Sequence, residues 1–280
     1  MKLGEKITKI PRQIIYLFMA AAIVFPLIVP IGMPINIMPQ TKKLFDAIEA
    51  LPPASKPVLI SCDFDPQSMP ELYPMLQAAL NHLLSKNVKV LVMALWPQGA
   101  GMGEMALNEI APVLNKKYGE DYVFLGYKAG AAAVILGLGD KIANVFPADY
   151  YNKPLSSFPL TAHLTNYNDL SLVLTLSAGT PGYREWLAYG QSKFGISVGA
   201  GVTAVSAADA YPYLGSGQLT GLFGGMKGAA EYETSLIKNG YKLLFRQATK
   251  GMDAQSLGHL FIMIFIIIGN LGFFMMGRKK

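Results

Sequence analysis

The sequence predicts an α/β fold: a mostly parallel sheet of about six strands with helices on both faces, flanked by an N-terminal and a C-terminal transmembrane helix. Three observations carry this. Continuous apolar runs of strand length alternate with amphipathic helical patterns through the middle of the chain. Two long stretches near the ends contain no charged residue. Hydrophobic residues make up 52% of the 280 residues and charged residues only 15%, where a soluble domain carries about 25% charge.

From the N-terminus, residues 1–39 read as a basic tail and a first span. No charge falls between Arg12 and Lys42, and IIYLFMAAAIVFPLIVPIGMPI begins at Ile14. About 20 apolar residues cross a bilayer as a helix. Pro11 suits a helix start, and Pro26, Pro30 and Pro34 should kink or loosen the outer half. A cleaved signal peptide is the competing reading, but the apolar run is long and no Ala-x-Ala site follows. Residues 40–56 form an amphipathic linker, with Leu44, Ile48 and Leu51 on one face and Pro52-Pro53 as its stop.

The α/β domain should occupy residues 57–250. Strands are expected at 57–62, 90–95, 122–126, 170–176, 196–200 and 219–223, and the first ends near Asp63. MPELYPMLQAALNHLLSKN, GEMALNEIAPVLNKKYG and GAAAVILGLG read as helices in the first half, and 145–168 as an irregular, Pro/Tyr/Asn-rich link. TPGYREWLAYGQSKFG, SAADAYPYLG and MKGAAEYETSLIKNG read as helices in the second. Crossovers between parallel strands should be right-handed. The halves 57–144 and 169–240 each read strand-helix three times. LGYKAGAAAV (125–134) matches FGGMKGAAEY (223–232) in placing Gly130 and Gly228 before Ala-Ala, a match short enough to be coincidence. Residues 251–280 hold the second span, LGHLFIMIFIIIGNLGFFMM, with Asn270 inside it and a basic tail after it.

Charge narrows the class. Residues 13–277 balance 17 basic against 17 acidic side chains, so the net +6 belongs to the two tails. A nucleic-acid-binding body should concentrate Lys and Arg, and none is expected here. Cys62 is the only cysteine, which excludes an intrachain disulfide and a zinc site of usual spacing; no metal or cofactor is expected. Lys2, Lys6, Lys9 and Arg12 before the first span, against Lys42 and Lys43 after it, place both termini in the cytoplasm and the central domain outside. Lys238, Lys242, Arg246 and Lys250 on the domain side of the second span weaken that asymmetry.

In open parallel sheets, ligands bind at the carboxyl ends of the strands. Asp63 and Asp65, at the first strand end, are candidates for holding Mg²⁺ or attacking a phosphoryl group; the bland alternative is a turn that caps the next helix. Ser177 lies at another strand end, but Thr175 stands where a nucleophile elbow needs glycine. Gly179 and Thr180, before Pro181 and a helix start, are candidates for anion binding through free backbone N–H groups, with Gly130 and Gly228 as further ligand-binding candidates. Ser206 reads as a helix N-cap. His82, His163 and His259 are scattered and complete no acid–base–nucleophile set.

Three resemblances follow from these motifs. Asp63-Phe64-Asp65, with LGLGDKIAN around Asp140, resembles haloacid-dehalogenase-type phosphotransferases, which implies phosphoryl chemistry; the second strand, ending in LWPQG, departs from that pattern. WPQGAG followed by KAGAAAVILGLGDKIANVFP resembles the Clp-protease/crotonase arrangement, which implies an oxyanion-hole turn, but residues 128–139 contain no serine. The whole order, from FPLIVPIGMPI through LWPQGAG and GVTAVSAADAYPYLGSGQLTGLFGGMKGAAEYE to the second anchor, resembles an uncharacterised bacterial family of two-span membrane proteins, which implies architecture alone. The expected function is a non-enzymatic, membrane-anchored binding or assembly module whose partners are the bilayer and either further copies or other membrane proteins. The alternative is a membrane-anchored hydrolase or small-ligand-binding domain using Asp63, Asp65 and Ser177.

Overall fold

The structure is a computed structural model describing residues 9–277; the outermost tail charges fall outside the described residues. The chain divides into two units, Ile35–Ala248 and a second made of the segments up to Pro34 and from Thr249 onward.

In the larger unit, α2 (Pro39–Glu49) precedes β1 (Val58–Asp63), α3 (Met69–Ser85), β2 (Val90–Ala94), α4 (Pro97–Ile110), β3 (Tyr122–Tyr127), α5 (Ala131–Asp140) and the short α6 (Ile142–Val145). After the irregular link come β4 (Leu172–Ser177), α7 (Tyr183–Glu185), a π-helical stretch at Trp186–Gln191 and α8 (Ser192–Phe194). Then follow β5 (Val198–Val202), α9 (Ala204–Gly215), β6 (Leu219–Gly224) and α10 (Gly225–Lys238). Among the described residues the six strands form one all-parallel sheet in the order β3-β2-β1-β4-β5-β6. Each half of the chain therefore runs outward from the centre.

Strand residues alternate between two buried layers, which is why their sequences read as continuous apolar runs. Leu59, Leu91, Met93, Val173 and Val198 join one core with α5, the 145–170 link and Trp186. On the opposite face, Gly199 and Gly201 leave room for Leu44 of α2 and Met75 of α3. The outer strand β3 is covered by the link, where Tyr150 N–H donates to Phe124 C=O at 3.0 Å.

Several helix boundaries differ from expectation: α4 ends at Ile110, short of Gly119, and residues 180–195 divide into α7, the π-helical stretch and α8. Helix α4 starts at Pro97, so WPQGAG is not a loop but the entry to a helix. A Cβ on Gly99 would lie 1.8 Å from the Cys62 carbonyl oxygen, and one on Gly103 would lie 2.9 Å from Val92. These glycines let the helix press against β1 and β2; their number suggested a turn.

α2, α3 and α10 meet at a buried polar chain. His82 Nε2 lies 2.7 Å from Glu49 and Nδ1 lies 2.7 Å from the Tyr232 hydroxyl. Glu49 can only accept, so Nε2 carries the proton and Tyr232 O–H donates to Nδ1. Phe45 stacks on the ring at 4.8 Å, and Tyr241 donates to the same Glu49 oxygen at 2.8 Å.

In the smaller unit, α1 (Arg12–Ile28) stops short of Pro30, where Val29 takes an extended conformation. α11 (Gln247–Gly277) begins in the larger unit and supplies the rest of the smaller one. Its Gln247–Met275 stretch, with a mean hydropathy of 2.2 in its most apolar window, is long and apolar enough to cross a membrane. α1, at 17 residues, is apolar but shorter than the span expected from Ile14 onward. The buried Asp253 carboxylate accepts the backbone N–H groups of Ile31 (3.0 Å), Gly32 (2.9 Å) and Met33 (3.0 Å), fixing the turn after α1 against α11.

Burial lowers the His82 pKa to about 4, against the pull of Glu49. Its unfolded value is about 6.5, so at this group the unfolded chain binds more protons between these values and the His82 contribution to stability falls as pH drops from about 6.5 to 4. Burial raises the Glu49 pKa, but the His82 and Tyr241 hydrogen bonds outweigh it and leave it lowered, a contribution also lost in acid. Denaturant titrations should show the change in stability from pH 7 to pH 4.5 to be more favourable by about 2–3 kcal/mol in His82→Gln than in the parent protein. Equal pH dependence in the two proteins would refute this assignment.

Candidate functional site

Strand order reverses between β1 and β4, and in doubly wound sheets ligands bind outside the carboxyl ends at this reversal. Asp63 and Ser177 are register partners there. Both are buried, Asp63 completely and Ser177 to 1% exposure.

Asp63 is occupied by its own sheet. Its Oδ1 accepts from Ser61 Oγ and from Leu95 N–H, both at 2.8 Å, and its Oδ2 accepts from Thr175 Oγ1 at 3.0 Å. Burial pushes its carboxyl up to about 6, opposed by the Leu95 N–H, the Ser61 and Thr175 hydroxyls and the Trp186 indole. Trp186 Nε1 is buried without a hydrogen-bond partner, so its influence is that of a dipole near the carboxylate and not of a formed bond. Above this level Trp96, which follows β2, donates its indole N–H to the Pro181 carbonyl after β4 at 2.8 Å. That bond joins the segments that follow β2 and β4, the two neighbours of β1. Ser177 Oγ accepts a long bond from Tyr183 N–H at 3.4 Å, and a Cβ on Gly182 would lie 2.6 Å from the Ser177 Cβ.

The structure does not bring the candidates into one cleft. Asp65 turns to Ser68 and accepts from its N–H and hydroxyl, both at 3.1 Å, as a turn-capping residue does. Asp63 caps no helix. Gly130 ends the β3 turn in a left-handed conformation (φ 86°) at the N-cap of α5. Gly228 lies inside α10, where a Cβ would meet the Phe223 backbone at 3.0 Å. These two glycines follow opposite outer strands. Ser206 is inside α9, and Thr203 holds the N-cap position and donates to Ser206 Oγ at 3.2 Å.

Gly179 and Thr180 do line an opening. A depression of about 190 Å³ is bounded by these two, Tyr183, Arg184, Ser206 and Asp209. Arg184 donates to Asp209 at 3.0 Å and to the Tyr183 hydroxyl at 3.2 Å. The neighbouring Gly182 N–H is taken by Glu185 at 2.7 Å, so a carboxylate of the chain already holds the place where an anion was expected. Among the described residues no three of His, Cys, Asp and Glu converge as a metal site.

Ser61, Trp96 and Trp186 carry no site expectation from the sequence, and Thr175 entered only as a departure from the nucleophile elbow. A usable signal was present: Ser61/Asp63 and Thr175/Ser177 are polar pairs two apart, hence on one face of strands that are otherwise apolar. Comparison of the chain with protein-family models, curated proteins and solved structures finds no match.

Asp63→Ala should leave the Leu95 N–H without its acceptor and open a cavity, lowering unfolding free energy by about 3 kcal/mol. Asp63→Asn can keep an acceptor toward Leu95 and donate toward Thr175, at a cost of about 1 kcal/mol. Because the folded pKa is raised, Asp63 contributes stability that is lost as pH rises from about 4 to 6, and the Asn variant should lack this component. Chemical denaturation across that interval measures both; equal stability of the Ala and parent proteins would refute the tie.

Proposed function

We propose that the protein is a non-enzymatic, membrane-anchored α/β module that binds or assembles with other proteins. The observation that carries this reading is the surface of α9. Only Ala207 and Ala210 of that helix are buried, while Val205 is 90% exposed and Ala204, Ala208, Tyr211 and Pro212 are also exposed. Between Lys193 and Lys227 the single charged residue is Asp209, which Arg184 pairs at 3.0 Å. Exposed helices of independent domains carry charge on their outer face, and a nearly uncharged apolar face suits a protein interface. The engagement of Asp63 and Ser177 inside the sheet adds support, since the groups best placed for chemistry at the reversal point lack solvent access.

The depression beside Arg184 favours a second reading, a small polar ligand held by Thr180, Arg184 and Ser206. The experiment is sizing of the full-length protein in mild detergent, with and without cross-linking, beside a phosphatase and esterase screen. Val205→Lys with Tyr211→Lys should shift cross-linked complexes toward the monomer by at least fivefold while leaving the thermal midpoint within about 2 °C, as expected of exposed sites. A monomeric parent with turnover that Thr180→Ala abolishes would replace assembly by the ligand reading.

The membrane part of the proposal places α1 and α11 as two spans, both termini in the cytoplasm and the domain outside. The apolar length of α11 supports it, as does the excess of Lys and Arg before the first span over the stretch after it. Helix α1 rises about 26 Å at 1.5 Å per residue, close to a hydrocarbon thickness of about 30 Å. In a Cys62→Ser background, Lys2→Cys and Lys280→Cys should both resist a membrane-impermeant thiol reagent in intact cells. Labelling of either from outside would overturn the topology.

A further inference from the structure

We propose that Asn270 pairs α11 with the α11 of a second copy of this chain, amide to amide. The inference rests on the reading of α11 as a membrane span and names the partner that the span selects.

Helix α11 has one face already used. Phe261 stacks on Phe18 of α1 with ring centroids 6.4 Å apart, a Cβ on Gly258 would lie 3.8 Å from Ile23, and Phe265, Ile268 and Gly269 line a groove shared with Ile14 and Phe18. At about 100° per residue, Asn270 lies about 140° around the helix from Phe265. It therefore projects away from α1, on the side of Met263, Ile267 and Phe274, all of them exposed.

On that side it stands alone. Asn270 is the one polar side chain between Leu260 and Met276. Its Nδ2 donates to the Ile266 carbonyl one turn back at 2.9 Å. Among the described residues the amide oxygen and the second N–H have no partner. Water would satisfy them at a soluble surface, whereas hydrocarbon does not, and polar groups inside a bilayer turn to another helix. A carboxamide carries both a donor and an acceptor, so it is complementary to its own copy. A second α11 in the same membrane presents that amide at the same depth, flanked by the same aliphatic surface.

The test uses the full-length protein in liposomes. Lys280→Cys in a Cys62→Ser background carries donor or acceptor dyes, and energy transfer is followed against protein-to-lipid ratio. Asn270→Leu should raise the ratio needed for half-association about 3- to 20-fold, and Asn270→Gln should restore most of it. Association unchanged in Asn270→Leu, or a parent protein that stays monomeric at every ratio, would overturn the pairing. Alkaline carbonate extraction separates this from the premise. A protein stripped from the vesicles would overturn both the span and the pairing, whereas one that remains embedded yet indifferent to Asn270→Leu would overturn the pairing alone.

Discussion

A carboxylate buried at the middle of the sheet constrains the rest of the larger unit. Asp63 is fully enclosed at the end of β1, a position that costs several kcal/mol for a charge unless it is hydrogen-bonded. The offset comes from Ser61 on the same strand, Thr175 on β4 and the Leu95 N–H just past β2. Three adjacent strands are thereby fixed in relative register at their carboxyl ends. Once Leu95 is held, Trp96 is positioned to reach the Pro181 carbonyl, and α4 must start at Pro97 in the narrow space that Gly99 leaves over Cys62. The carboxylate that ties the central strands lies where sheets of this order usually receive a ligand.

Hydrogen bonding sets the directions of the two aspartates at this point. A nucleophilic or metal-binding aspartate needs at least one free oxygen directed at solvent or substrate. Here both oxygens of Asp63 are engaged, whereas Asp65 holds Ser68 through Oδ1. The two aspartates look like a reactive pair only while their spacing is read without their directions. On an extended strand end, residues two apart share a face, but Asp65 lies beyond the strand and its backbone has already turned.

Much of the fold was legible because the strands are buried on both faces. All six apolar runs became strands within two residues or so of their expected ends, and the all-parallel pairing followed from their continuity. What the sequence obscured were features set by close approach or by partners far away in the chain. Gly99 and Gly103 read as turn residues, although their role is to bring a helix against a carbonyl and a valine. Ser206 read as a cap, but Thr203 takes the position three residues earlier. His82 gave no signal because its partners, Glu49 and Tyr232, lie 33 and 150 residues away. The site was half legible: Gly179 and Thr180 do border an opening, but the Arg184–Asp209 pair that shapes it joins residues whose pattern suggests only exposed helix faces.

The two buried titratable groups act in opposite directions as pH changes. Lowering pH from about 6 toward 4 protonates Asp63 in the folded protein and relieves the cost of its burial, while His82 increasingly favours the unfolded chain, where it can take a proton. Each shift spans roughly two units, so the two effects largely cancel in global stability across that interval. They do not cancel locally. Acid favours the end of β1 and penalises the junction of α2, α3 and α10, where burial around His82 leaves no room to solvate an imidazolium. Acid-induced loosening should therefore begin at that junction, while the β2-β1-β4 tie that organises the sheet gains from the same protons.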